Sequence, residues 1–143
     1  MDSIEVRFAE IADTTYVSKD GYIPPEIVAR KIEFQEIIIA KVKGEPKGYL
    51  RLEYLWSIIP YISLISVDQR HRQQGIGKAL LEFIMEYLRG KGHTWLYSSS
   101  QADEPEPQSW HRHMGFRDCG IITGINSGGV SELFFRISLN KLP

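Results

Sequence analysis

Arg72-Gln73-Gln74-Gly75-Ile76-Gly77-Lys78 carries the strongest chemical signal in the chain. It follows an apolar run, Tyr61–Val67, and leads straight into an amphipathic stretch. In that stretch Ile76, Leu80, Phe83, Ile84, Tyr87 and Leu88 share one helical face, and Lys78, Glu82 and Glu86 lie on the other. A strand that feeds a glycine loop at a helix start turns backbone N–H groups outward at the positive end of the helix dipole, which makes an anion site. The two glycines let a phosphate approach where a Cβ would obstruct, and Arg70, Arg72 and Lys78 add charge. The chemistry predicted is capture of a phosphate-bearing cofactor. A dinucleotide fingerprint would need a glycine where Leu80 stands, and a P-loop would need a Lys-Ser/Thr pair; neither is present. Spacing alone also permits a plain strand-to-helix turn at Gly75 and Gly77.

Other reactive side chains are sparse. His111 and His113 are two apart on a helical pattern and do not share a face, so no metal site is expected. Cys119 is the one cysteine; it predicts a buried structural thiol in a reducing compartment. Asp103, Glu104 and Glu106 form an acidic cluster that suits a helix N-terminus, with Asp103 as cap and Pro105 in the first turn.

The elements that must position these groups follow from periodicity. Ile4–Ala9 alternates as an opening strand, and residues 13–34 read as two helices, the second starting near Pro25. Ile37–Val42 and Lys47–Leu55 make a hairpin around Lys43-Gly44-Glu45-Pro46, and Tyr61–Val67 is a central strand. After the long helix, Arg89-Gly90-Lys91-Gly92 supplies a stop, Thr94–Ser98 a strand, and the segment from Gln101 to Met114 becomes helical around Trp110. Phe116–Ile125 and Val130–Leu139 close the chain as a second hairpin. The order β-α-α-β-β-β-α-β-α-β-β predicts an α/β fold with a single mixed, mostly antiparallel sheet flanked by helices.

The 143 residues suit one domain, 1–143. Seventeen Lys and Arg against eighteen Asp and Glu argue against a nucleic-acid partner, and no apolar run reaches membrane-spanning length, so neither nucleic acid nor membrane is an expected partner. The opening Met-Asp-Ser-Ile-Glu has no basic or apolar leader pattern, which predicts a cytoplasmic protein.

Arg72-x-x-Gly75-x-Gly77, between a buried strand and a long helix, resembles the acetyl-CoA pyrophosphate loop of the GNAT acyltransferases, whose pattern there is Gln/Arg-x-x-Gly-x-Gly/Ala. The element order is similar over essentially the whole chain, as is Gly115-Phe116 after the last helix. The resemblance implies a GNAT-like N-acetyltransferase domain that uses acetyl-CoA as co-substrate. A primary amine, small-molecule or peptide, attacks directly in a ternary complex. Ile65, Ser66 and Val67 would hold pantetheine, and the backbone of Arg72, Gln73, Gln74, Gly75, Ile76, Gly77 and Lys78 the pyrophosphate. Dimers are frequent in the family, and the terminal hairpin is the expected contact in a homodimer.

The catalytic positions depart from the family pattern. Counting back from Gly115, Trp110 and His111 stand where many members have Phe-Tyr, Pro107 at their Ala and Glu104 at their Asn. The tyrosine that protonates departing CoA is thus absent, and His111, on a helix whose side chains there would point into the splay, takes its place as the expected acid; its other reading is a surface histidine on a helix that also carries Arg112 and His113. Tyr61 stands fourteen residues ahead of Gly75, where some members have a glutamate base. A neutral tyrosine is a poor base, and Tyr61 is expected instead to order a water chain that takes the amine proton. Glu53 is the alternative base, its other reading being a solvated hairpin carboxylate. Tyr22, Tyr54, Trp56 and Trp110 would shape the acceptor groove. The rival function is a non-catalytic acyl-CoA-binding module that kept the cofactor pocket and lost turnover.

Overall fold

β-Branched and alternating segments become strands, and the 3.6-residue patterns become helices. The computed structural model describes residues 3–71 and 74–140, with His71 described by its backbone alone. The order is β1 (Ile4–Phe8), α1 (Thr14–Val17), α2 (Pro25–Glu33), β2 (Ile37–Val42), β3 (Glu45–Leu55), β4 (Ile59–Val67), α3 (Ile76–Gly90), β5 (Trp95–Gln101), α4 (Pro105–His113), β6 (Arg117–Ile122) and β7 (Glu132–Ser138). The strands form one seven-stranded sheet in the order β1-β2-β3-β4-β5-β7-β6. β1–β2, β2–β3, β5–β7 and β6–β7 are antiparallel and β4–β5 is parallel, so the sheet is mixed and mostly antiparallel as expected.

Boundaries move where turn chemistry overrides periodicity. Lys43 and Gly44 alone make the β2–β3 turn, with φ of 54° and 78°, so β3 opens at Glu45 instead of Lys47. β5 runs through Gln101, and α4 starts at Pro105, well ahead of Trp110. The α4 N-cap is Glu104, without a side-chain cap bond, and not Asp103. Cys119 is exposed, contrary to the buried thiol expected, because β6 is an edge strand with every residue exposed.

The chain groups into two compact units, residues 1–52 with 64–87, and 53–63 with 88–143. The first is built on the β-branched run of β2: Ile37, Ile38, Ile39 and Ala40 are wholly buried, and Val17, Val28, Ile32 and Tyr49 pack with Ile37 and Ile39. Phe8 meets Phe83 and Tyr87 edge-on at 5.2 and 4.9 Å. α2 starts on Pro25 at its first position, as its fixed φ favours.

One buried ion pair ties the segment between α1 and α2 to β3. Asp20 accepts from Arg51 Nη1 and Nη2 at 3.0 and 3.1 Å, from Tyr49 Oη at 2.6 Å and from the Tyr22 amide at 2.9 Å. The side chains are 3% and 8% exposed for Arg51 and Asp20, so each charge is held largely by protein groups, the other among them. Burial opposes ionisation of Asp20, but the bonds from Arg51, Tyr49 and Tyr22 outweigh it and hold the carboxyl at about 2. Because the folded value lies below the unfolded one, this stabilisation is complete above about pH 4 and is lost as pH falls towards 2. Asp20→Ala should cost about 3–5 kcal/mol in urea denaturation at pH 7, since it removes one partner of a buried ion pair and the acceptor of the Tyr49 hydroxyl bond. A cost under about 1 kcal/mol would show that water reaches the guanidinium.

Candidate functional site

The glycine loop lies in the first unit. Gly75 adopts φ +85°, a left-handed conformation that strains any residue with a Cβ, and among the described residues only Ile4 Cδ1, at 4.0 Å, would neighbour such an atom. Ala79 N–H bonds to Gly75 O at 2.9 Å, and the amides of Ile76, Gly77 and Lys78 lie in the first turn of α3, whose N–H groups have no acceptor within the helix. Ile76 is buried as the anchor of the turn; Gln74, Gly75 and Lys78 are exposed, and Gly77 is half-buried. Arg72 and Gln73 lie outside the described residues. This donor set, with open space at Gly75, fits a phosphate-bearing group.

The end of β4 leads into this loop. The Asp68 amide donates to Lys47 O on β3 at 2.8 Å, so strand alternation turns the backbone groups of Val67 to the opposite edge. Ile65, Ser66 and Val67 are half-buried. An open cleft of about 520 Å³ lined by Lys19, Val67, Asp68, Gln69 and Arg70 adjoins the strand end. Burial opposes ionisation of Asp68, but hydrogen bonds from Tyr16 Oη at 2.8 Å and Lys19 Nζ at 3.0 Å keep its carboxyl below the usual range.

The second unit holds both expected catalytic residues. The β4–β5 ladder consists of Tyr61↔Tyr97 and Ile62↔Ser98. His111 is 2% exposed, which rules out its reading as a surface histidine. Its ring stacks on Phe135 at 4.7 Å and meets Trp110 and Phe116 edge-on at 5.1 Å each. Nδ1 lies 2.8 Å from Pro107 O, a carbonyl that can only accept, so Nδ1 carries the proton. Nε2 lies 2.6 Å from Ser98 Oγ, a hydroxyl that can donate to it or accept from it. Burial lowers the pKa of this ring, with Arg112 adding to the effect and Pro107 O and Glu132 opposing it.

The Gly115-Phe116 pair has a local cause. Gly115 at φ +103° ends α4 with bonds from its amide to Arg112 O and from Phe116 N–H to His111 O, and this wrap lays the Phe116 ring on His111.

Tyr61 Oη lies 2.6 Å from Ser99 Oγ, which donates to Glu132 Oε2 at 2.6 Å. Burial raises the Tyr61 pKa, with the Glu132 and Glu53 charges adding and Ser99 opposing. Ser98, Ser99 and Glu132 were not foreseen; the signal available was three consecutive serines, Ser98 to Ser100, in a strand, where each buried hydroxyl needs a partner. Glu53, the alternative base, is exposed, as are Asp103, Glu104 and Glu106. Of the aromatic residues assigned to a groove, Tyr22 and Trp56 are exposed, and Tyr54 lies 6.1 Å from His93. Among the described residues no cluster of three metal-ligating side chains occurs, and no helix is long and apolar enough to cross a membrane.

Comparison with known proteins agrees with this layout. The model of the acetyltransferase (GNAT) family matches residues 6–116. The streptothricin acetyltransferase of Streptomyces lavendulae is 32% identical over 92 residues, 62% of this chain and 48% of that enzyme, so the chain spans about half the length of that relative. Ard1 from Thermoplasma volcanium superimposes with a TM-score of 0.85 at 16% identity, over 96% of this chain and 99% of that one. The yncA protein from Salmonella typhimurium, solved with its cofactor acetyl-CoA, superimposes with a TM-score of 0.80 at 14% identity, over 99% and 96%. These two likenesses show the fold, and the family match extends over most of the sequence that builds it: the chain belongs to the acetyltransferase (GNAT) family.

Proposed function

We propose that residues 1–143 act as a single N-acetyltransferase domain that moves an acetyl group from acetyl-CoA to a primary amine by direct attack in a ternary complex. The observation that carries this reading is the left-handed Gly75 ahead of three amides in the first turn of α3. Acetyl-CoA, when bound, supplies the thioester that the amine attacks. The backbone from Gln74 to Lys78, with Arg72 and Gln73, holds its pyrophosphate through N–H donors at the positive helix end. Ile65, Ser66 and Val67 hold the pantetheine arm along the edge of β4 that faces away from β3.

The acceptor in this reading is a cationic primary amine. Streptothricin is the first compound to try, because the matching Streptomyces enzyme is named for it. The exposed Asp103, Glu104 and Glu106 at the start of α4 raise the local concentration of such a cation. A second copy docks on the terminal hairpin, whose edge carries exposed Ile121 and Ile122. The place of action is the cytoplasm, where an exposed lone thiol such as Cys119 stays reduced.

His111 departs from the acid role expected of it. In this reading His111 is a positioning residue that holds Ser98 and α4: both ring nitrogens are engaged, burial disfavours the imidazolium, and CoA leaves as the thiolate.

Thiol release from acetyl-CoA with streptothricin, spermidine and lysine-terminated peptides tests the activity. Release with at least one amine, with a KM that rises with salt, supports transfer. Calorimetric CoA binding without release across the panel makes the chain an acyl-CoA-binding module. Gly75→Val should weaken CoA binding at least about tenfold, a loss of about 1.4 kcal/mol, in a variant whose circular dichroism is unchanged; unaltered affinity removes the loop from the site. For His111 the folded pKa lies below the usual value of about 6.5, so the unfolded chain takes the proton first and stability falls as pH drops through that value. The urea midpoint should therefore fall between pH 7.5 and pH 5, and less so in His111→Gln. A midpoint that rises on acidification would make the ring a cation.

A further inference from the structure

Four polar side chains of the second unit form a line of hydrogen bonds that the reading above leaves without a task. Ser99 has one hydroxyl proton and gives it to Glu132 Oε2 at 2.6 Å, so the 2.6 Å contact between Tyr61 and Ser99 runs from phenol to serine. The Tyr61 oxygen keeps its lone pairs as acceptors. At the other end Asn126 Nδ2 holds Glu132 Oε1 at 2.9 Å. The register builds the line: Ser99 pairs with Phe134, the Tyr61 ring stacks on Phe134 at 5.7 Å, and Glu132 lies two residues along β7 on the same face. Tyr61, Ser99, Asn126 and Glu132 are all half-buried, which strengthens each bond relative to water.

We propose that Glu132 is the terminal proton acceptor of the transfer reaction, reached from the amine through the hydroxyls of Tyr61 and Ser99. This rests on the N-acetyltransferase reading and on Tyr61 occupying the position where some relatives of the fold carry a glutamate base. The ammonium form of the amine first loses one proton to solvent; its freed lone pair bonds to the thioester carbonyl carbon, the C–S bond breaks, and CoA departs as thiolate with that electron pair, which leaves the nitrogen one further proton to shed. The proton shed by nitrogen passes to the Tyr61 oxygen, the phenolic proton to Ser99, and the serine proton to Glu132 Oε2. Tyr61 and Ser99 end with one proton each, as they began. Glu132 ends as a carboxylic acid and releases its proton to water.

The line replaces the base that a tyrosine alone does not provide. Tyr61 never needs to ionise, which its burial disfavours; it works as a two-way hydroxyl, and the carboxylate supplies the basicity. The titratable groups that act on the line are Glu53 on β3, whose charge reaches Tyr61, and His111 on α4, which feels the charge of Glu132. Asn126 fixes the outer carboxylate oxygen, so Oε2 keeps its aim at Ser99.

The test uses the full chain with acetyl-CoA and whichever amine of the panel above turns over fastest, between pH 5.5 and 9. Glu132→Gln and Ser99→Ala should lower kcat at least about thirtyfold and leave the KM for acetyl-CoA unchanged, general-base contributions being typically ~10²–10⁴-fold. Ser99→Thr, which keeps the hydroxyl, should restore most of the rate. In the ligand-free chain labelled with ¹³C-tyrosine, Glu132→Gln should move the Tyr61 titration to lower pH, because a nearby negative charge is removed. A Glu132→Gln enzyme with wild-type kcat and pH profile, or an unmoved Tyr61 titration, overturns the relay and leaves the line a structural tie between strands. A wild-type chain that releases thiol with no amine overturns the transferase reading first, and the relay with it.

Discussion

A buried histidine whose two ring nitrogens must both find partners is the constraint around which the second unit is arranged. His111 touches most of that unit: Ser98 of β5 and Pro107 of its own helix bond its two nitrogens, Phe135 of β7 stacks on one face, and Phe116 closes one edge. Each contact depends on the others. If Ser98 turned away, Nε2 would be a buried polar atom without a partner, which costs ~1–3 kcal/mol. If Gly115 could not reach φ +103°, Phe116 would not fold back onto the ring. Polar satisfaction and aromatic packing therefore select a single placement of α4 on its strands.

The first unit meets the same problem with charges. Asp20 and Arg51 are both buried, and the aspartate is further held by Tyr49, itself wholly buried. The segment that leads into α2 is thus fixed by electrostatics as much as by the apolar contacts of Val28 and Ile32. Buried pairs of this kind add less net stability than apolar packing would, and they specify one arrangement because every alternative strands a charge.

The fold is largely legible in the sequence because its signals are local. The β-branched run from Ile37, the helical stripe from Ile76 to Leu88 and the glycine pair Gly75 and Gly77 each declare themselves within one element. The errors arise where the determining contact is remote. Burial of His111 requires Phe116 and Phe135, and exposure of Cys119 requires β6 to be an edge, which only the pairing order decides. The line from Tyr61 to Glu132 joins three strands, and no spacing rule relates residues 61, 99 and 132 before the register is known. The three serines of β5 are the trace it leaves: alternation sends Ser98 and Ser100 to one face and Ser99 to the other. Ser98 finds His111, Ser99 finds Glu132, and the Ser100 hydroxyl is buried without a partner.

Gly48 on β3 is far from the glycine loop in sequence and has no side chain to contribute. A Cβ there would stand 2.9 Å from Ser66 O, 3.1 Å from Ile76 Cγ2 and 3.4 Å from Val67 Cγ2. Any larger residue would push against both the strand that enters the loop and the first residue of the helix that leaves it. For anyone diversifying this chain by saturation libraries, the positions that tune the loop thus include one that a distance cut-off along the chain would omit. The freedom to redesign the loop is set by the space left empty at residue 48, and a second change that shortens Ile76 or Val67 is the natural companion to any substitution there.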